Sequence, residues 1–258
     1  MYVKELGNID SPLMVFIHGG GVSGWMWDKQ VDFFKEYHIL VPDLPGHGNS
    51  KDEHYISIRN CAEEIISLIE TKSNGQKVII IGVSHGAQIV VEILSIKPQI
   101  IDYAIINSAL TRPMKLTNIL IKPTMKMSYG LMKNNKFSNI QAKSMYIGKD
   151  YYDTYYNDSI AIPIEELIKM LCANMSYSLP SSFKDSKVNA LILIGKKEKG
   201  VMKKSAVDIL NSNKYCKGYA VPNVGHGVSL ANPDLFNKIV ELWIKNDILP
   251  NEIESIQI

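Results

Sequence analysis

Short apolar runs recur along the first hundred positions, separated by stretches whose apolar residues fall three and four apart. Leu13 to Ile17, Ile39 to Val41, Val78 to Ile81 and Tyr103 to Ile106 are apolar at successive positions. Each therefore predicts a strand buried on both faces, as a parallel sheet between helices requires. The stretches between them predict helices: Trp27, Val31 and Phe34 share one face, and Ile58, Cys61, Ala62, Ile65, Leu68 and Ile69 form a second stripe. The rhythm returns late in the chain. Ala190 to Ile194 and Tyr219 to Val221 predict strands and Ser205 to Leu210 a helix, while Asn232 and Pro233 start a last helix to Lys245. Leu249 to Ile258 reads as a surface tail.

Between Ile106 and Ala190 the strand pattern is lost, and helical segments are predicted around Leu116 to Met132, Asn139 to Ile147 and Ile164 to Asn174. The expected fold class is α/β, a mostly parallel central sheet flanked by helices with an inserted helical cap. Residues 1–110 and 187–258 are assigned to the core and 111–186 to the cap. The inserted stretch is rich in methionine and tyrosine, including Met125, Met145, Met170, Tyr151 and Tyr152. With Trp25 beside the glycine loop described below, Met125, Met145 and Met170 predict an adaptable, largely apolar pocket.

Composition narrows the function classes. A chain of 258 residues suits one α/β domain with an insertion. Its 46% hydrophobic and 21% charged residues are those of a soluble globular protein, and a net charge of +2 gives no reason to expect nucleic acid as partner. Cys61, Cys172 and Cys216 show no Cys-x-x-Cys spacing, which argues against both a disulfide framework and a zinc site. The histidines and carboxylates lack ligand spacing, so neither a metal nor an organic cofactor is expected. No apolar run nears membrane-spanning length and the first residues lack a leader pattern, so a cytoplasmic protein with no membrane partner is expected. The run Lys196, Lys197, Lys199, Lys203 and Lys204 reads as a solvated surface.

Candidate chemistry centres on the strand from Lys77 to Val83, which runs directly into Gly82-Val83-Ser84-His85-Gly86. A sharp strand-to-helix turn holds a serine in strained dihedrals and presents its hydroxyl to a base, and flanking glycines permit the close approach. Ala87, Val90, Val91 and Leu94 carry the helical period that should follow. His18-Gly19-Gly20-Gly21 ends the Leu13 to Ile17 strand, where the Gly20 N–H could meet a bound oxyanion together with the main-chain N–H of His85. His226 lies in a loop after the last predicted strand, at the sheet edge where α/β proteins bind ligands, and suits a general base. His38 and His54 read as exposed and His47 as a turn residue. Glu198 follows the Ala190 to Ile194 strand and could orient the His226 imidazole. The competing position, after Tyr103 to Ile106, holds Asn107 and Ser108, neither an acid.

With Asp43-Leu44-Pro45-Gly46-His47-Gly48-Asn49-Ser50, which is similar to an Asp-x-x-Gly-x-Gly-x-Ser turn, these motifs resemble the α/β-hydrolase superfamily, in particular its capped, carboxylesterase-like serine hydrolases. The order Ser84, Glu198, His226 matches that family's nucleophile, acid and base. The resemblance implies a sheet of about seven to eight strands with a helical cap before the acid strand. It also implies hydrolysis of a small, largely apolar carboxylic ester through an acyl-enzyme. Two departures stand out: Glu198 replaces the aspartate of most capped members, and the short N-terminus implies that one of the family's opening antiparallel strands is missing. The same residues would also serve a carbon–carbon bond hydrolase or lyase of this fold, or a slow-turnover ligand sensor.

Overall fold

A computed structural model describes residues 1–246 and 248–256. Eight strands form one sheet in the order β1-β3-β2-β4-β5-β6-β7-β8. They are β1 (Val3–Leu6), β2 (Leu13–Ile17), β3 (His38–Pro42), β4 (Val78–Val83), β5 (Tyr103–Asn107), β6 (Asn189–Gly195), β7 (Cys216–Val221) and β8 (Glu254–Ser255). The six from β2 to β7 run parallel, and antiparallel β1 and β8 close the two edges against β3 and β7. The stretch expected as a surface tail thus contributes an edge strand. Its two ladder residues, Glu254 and Ser255, are exposed and polar, so no apolar alternation marks them.

Side-chain alternation divides the core into two layers. Leu13, Val15 and Ile17 of β2 join the layer made by α2 (Ile58–Lys72), α3 (His85–Ile96) and α8 (Gly200–Ser212). Met14 and Phe16 turn to the opposite face, where Trp27, Phe34, Phe236 and Trp243 pack around α1 (Asp28–Phe33) and α10 (Pro233–Asn246), with the short α9 (Val228–Ala231) beside them. Trp27 joins this layer from a 3-10 turn over Gly24–Trp27 that precedes α1. The stripe assigned to α2 is buried except at Leu68, and Ser57 caps its start by accepting the Asn60 N–H at 3.0 Å.

Four helices stand between β5 and β6: α4 (Lys115–Met132), α5 (Asn135–Ser144), α6 (Lys149–Ala161) and α7 (Ile164–Ser176). Helix α6 lies where no helix is expected, because its tyrosines and aspartates leave only Tyr155 and Ser159 buried and give no apolar period. Hydrogen bonds tie these helices to the rest of the chain. Asp158 Oδ2 accepts Ser23 Oγ–H at 2.6 Å and Trp25 Nε1–H at 2.9 Å, and buried Glu166 accepts the Tyr55 N–H at 2.9 Å. The Gly225 N–H donates to the Tyr146 hydroxyl at 2.9 Å.

Candidate active site

Because β2, β4, β6 and β7 are parallel, the loops that follow them open on one edge of the sheet. His18-Gly19-Gly20-Gly21 follows β2, Ser84 follows β4, Glu198 follows β6 and His226 follows β7. Ser84 has φ 55° and ψ −113°, a combination that costs a residue with a Cβ about 1–3 kcal/mol and persists only where the surroundings impose it. They do so by contact. A Cβ on Gly82 would lie 2.4 Å from the Gly86 carbonyl oxygen, and one on Gly86 would lie 2.3 Å from that of Ile17. Only glycine fits at either position, and the Ser84 N–H donates to the Asn107 carbonyl at 2.8 Å.

Glu198 and His226 meet at 3.1 Å, Oε2 to Nδ1. An ionised carboxylate only accepts, so Nδ1 donates to it, and in the neutral ring the lone pair that can act as a base is then on Nε2. The Glu198 side chain is almost fully buried, whereas that of His226 is about half exposed. Burial alone would raise the Glu198 pKa. Hydrogen bonds from His226, from Ser108 Oγ–H at 2.5 Å and from the Gly195 N–H at 3.0 Å outweigh it and hold the carboxyl below its ordinary value. Gly195 also sets the distance between the two loops: a Cβ there would lie 2.1 Å from the Gly225 carbonyl oxygen, one residue before His226.

Ser84, His226 and Glu198 line one cavity of about 630 Å³, together with Gly20, His85 and Met170. Gly20 and His85 lie side by side on this wall, an added Gly20 Cβ falling 3.9 Å from His85 Cβ. Most of the remaining wall is apolar: Leu110, Met114, Leu167, Leu171, Met175, Val201 and Met202. No group of three or more His, Cys, Asp or Glu side chains among the described residues is placed to hold a metal ion.

The model of the alpha/beta hydrolase family matches residues 14–239, most of the sheet and every residue just named. The chain belongs to the alpha/beta hydrolase family. It is similar to the (E)-2-((N-methylformamido)methylene)succinate hydrolase of Acinetobacter baylyi, with 20% identity over 90% of each chain. An AB hydrolase superfamily protein of Gibberella zeae is 34% identical over 87 residues, 33% of this chain and about a third of that one at 31%. Among solved structures, MenH from S. aureus superimposes with a TM-score of 0.76 at 17% identity, covering 96% of this chain and 99% of that one. The enol-lactonase from Burkholderia xenovorans reaches 0.79 at 14% identity, covering 95% and 96%. At such identities the likeness to these two structures is one of fold.

Not every pocket residue expected in this α/β hydrolase faces the cavity. Met170 does, its thioether closing over Gly20. Trp25 instead stacks on Tyr151 with ring centroids 5.4 Å apart and spends its N–H on Asp158. Met125 on α4 and Met145, just past the end of α5, instead pack against the two core layers. Ser108, which its sequence position marks only as not an acid, donates its hydroxyl to the Glu198 carboxylate and, like Ser84, is held at positive φ, 61°. His38, expected to be exposed, is buried and pairs with Glu5 at 2.8 Å.

The other α/β-hydrolase motif histidines serve as buried scaffolding. His18 Nε2 accepts the Leu44 N–H at 2.9 Å while Nδ1–H donates to the Gly19 carbonyl at 2.7 Å. His47 Nε2 accepts the Gly21 N–H at 3.2 Å, so the glycine loop is held by two neutral rings. Desolvation lowers the pKa of both, and it pushes His85 down to about 4. Asp43 braces the same loop, accepting the N–H groups of Gly24 and Asn49 at 2.8 Å each.

Proposed function

We propose that this α/β hydrolase is a serine carboxylesterase that cleaves small, largely apolar esters through an acyl-enzyme. Ser84 attacks the carbonyl carbon, His226 Nε2 takes the hydroxyl proton and returns it to the leaving alcohol, and Glu198 stabilises the imidazolium formed between the two steps. The N–H groups of Gly20 and His85 receive the oxyanion. Water then repeats the sequence on the acyl-enzyme and releases the acid. Helices α4 to α7 serve as the cap that walls the acyl pocket.

The observation that supports this most directly is the Glu198–His226 pair on the wall of the same apolar cavity as the strained Ser84. A carbon–carbon bond hydrolase or lyase needs a further buried proton donor beside the triad. Asn174, a polar residue of the wall, is instead committed to Gln88, whose Oε1 accepts its amide N–H at 2.8 Å. The reading is tested with a panel of short- and medium-chain acyl esters against phosphorylated and multiply charged ones. Turnover of the apolar esters, lost on Ser84→Ala, is expected. Parent-level turnover by Ser84→Ala, or a preference for the charged esters, would overturn it.

A further inference from the structure

From Tyr103 to Lys149 the chain carries eight basic residues and no acidic one. All 26 acidic residues lie elsewhere, facing the other 20 basic ones, so a molecule of net charge +2 is split into a strongly positive segment and a negative remainder. The positive segment contains α4 and α5. Of its eight cations, Arg112 pairs with Asp208, and the seven lysines meet no acidic partner among the described residues.

Helix α4 sorts its residues into three faces. Ile121, Met125 and Met132 turn inward, and Met114 and Thr117 at its start line the active-site cavity. Leu116, Ile119, Leu120, Met127 and Leu131 form a stripe at three- and four-residue spacing on the opposite side, every one at least half exposed and Leu116 and Met127 by 81% and 83%. Between these faces run Lys115, Lys122, Lys126 and Lys133, which at 100° per residue fall within about 40° of one another. On α5, Ile140 adds a further exposed apolar side chain.

We propose that this face docks on a membrane surface containing anionic phospholipid, with α4 lying in the interfacial plane. Exposed apolar side chains beside a row of unpaired lysines match a partner with an anionic surface over an apolar interior. A symmetric dimer through this face fits poorly, since it would set two acid-free lysine segments against each other. Among the described residues no helix is long and apolar enough to cross a membrane, which is the ground for expecting no membrane partner, but a helix lying in the interface needs no apolar run of that length. The docking itself does not depend on the proposed chemistry.

The test is co-sedimentation of the full chain with phosphatidylcholine vesicles, alone and with about one third phosphatidylglycerol. Binding is expected only to the anionic vesicles and should be lost in about 0.5 M salt. Lys122→Gln, Lys126→Gln and Lys133→Gln should each weaken it about fivefold, and Ile119→Ser with Met127→Ser should abolish it. Turnover of a water-soluble ester should be unchanged in all these variants, which separates lost docking from lost folding. A parent chain that ignores anionic vesicles would overturn the proposal, as would equal binding to neutral ones. Stripe variants that convert a dimer to a monomer while vesicle binding persists would assign the stripe to a second copy and overturn it equally.

Discussion

At the scale of single residues the site is a chain of hydrogen bonds, and Ser108 is its least obvious link. Its hydroxyl is not part of the lining of the Ser84 cavity but holds Glu198, which in turn holds His226. A hydrogen bond to a buried carboxylate contributes on the order of 1.5–3 kcal/mol, so Ser108→Ala is expected to lower ester kcat by about tenfold or more with little change in KM. Ser108→Gly separates hydroxyl from backbone, because glycine relieves the 61° φ while removing the same oxygen. If kcat for the glycine variant equals the parent value, Ser108 only shapes the backbone. Glu198 was legible in the sequence as the one acid at the right distance beyond β6. Ser108 was not, because a serine that bonds an acid rather than a substrate carries no motif of its own.

At the scale of elements, glycines set the spacing. Gly195→Ala would drive a Cβ into the Gly225 carbonyl, so a stability loss of about 1–3 kcal/mol is expected by urea denaturation, together with a fall in kcat as the Glu198 and His226 loops part. Gly200→Ala, with open space around its Cβ at the start of α8, should leave both unchanged. Equal effects of the two would show that close packing at Gly195 is not what holds the loops. The strands β2 to β6 were legible because burial on both faces leaves near-unbroken apolar runs, most clearly in Val78 to Ile81. Helix α6 and strand β8 were not. One is held by polar tethers such as Asp158 and the other by two exposed ladder residues, and neither leaves a hydrophobic period.

At the scale of the whole molecule, three buried neutral histidines couple stability to pH. His18, His47 and His85 all have pKa values lowered by burial, so the unfolded chain, with histidine near its ordinary 6.5, binds more protons than the folded one below that pH. Their contribution is therefore complete above about pH 6.5 and is lost as pH falls toward the folded values, about 4 for His85. The lowered Glu198 and Glu166 act lower still, their contribution fading only below the ordinary carboxylate value of 4.5. Unfolding free energies from urea titrations are thus expected to drop between about pH 6.5 and 5, by up to ~1.4 kcal/mol per pH unit for each histidine that titrates, and the midpoints with them. A midpoint that stays flat across that window would mean the histidines are not held neutral.

The central claim is that His226 activates Ser84, and fluorophosphonate labelling with peptide mapping tests it most directly, because the probe reacts with a serine only when a base makes it nucleophilic. One adduct on Ser84 is expected, absent from Ser84→Ala and slowed by orders of magnitude in His226→Ala. Labelling at another serine, or at Ser84 with the parent rate once His226 is replaced, would contradict the account.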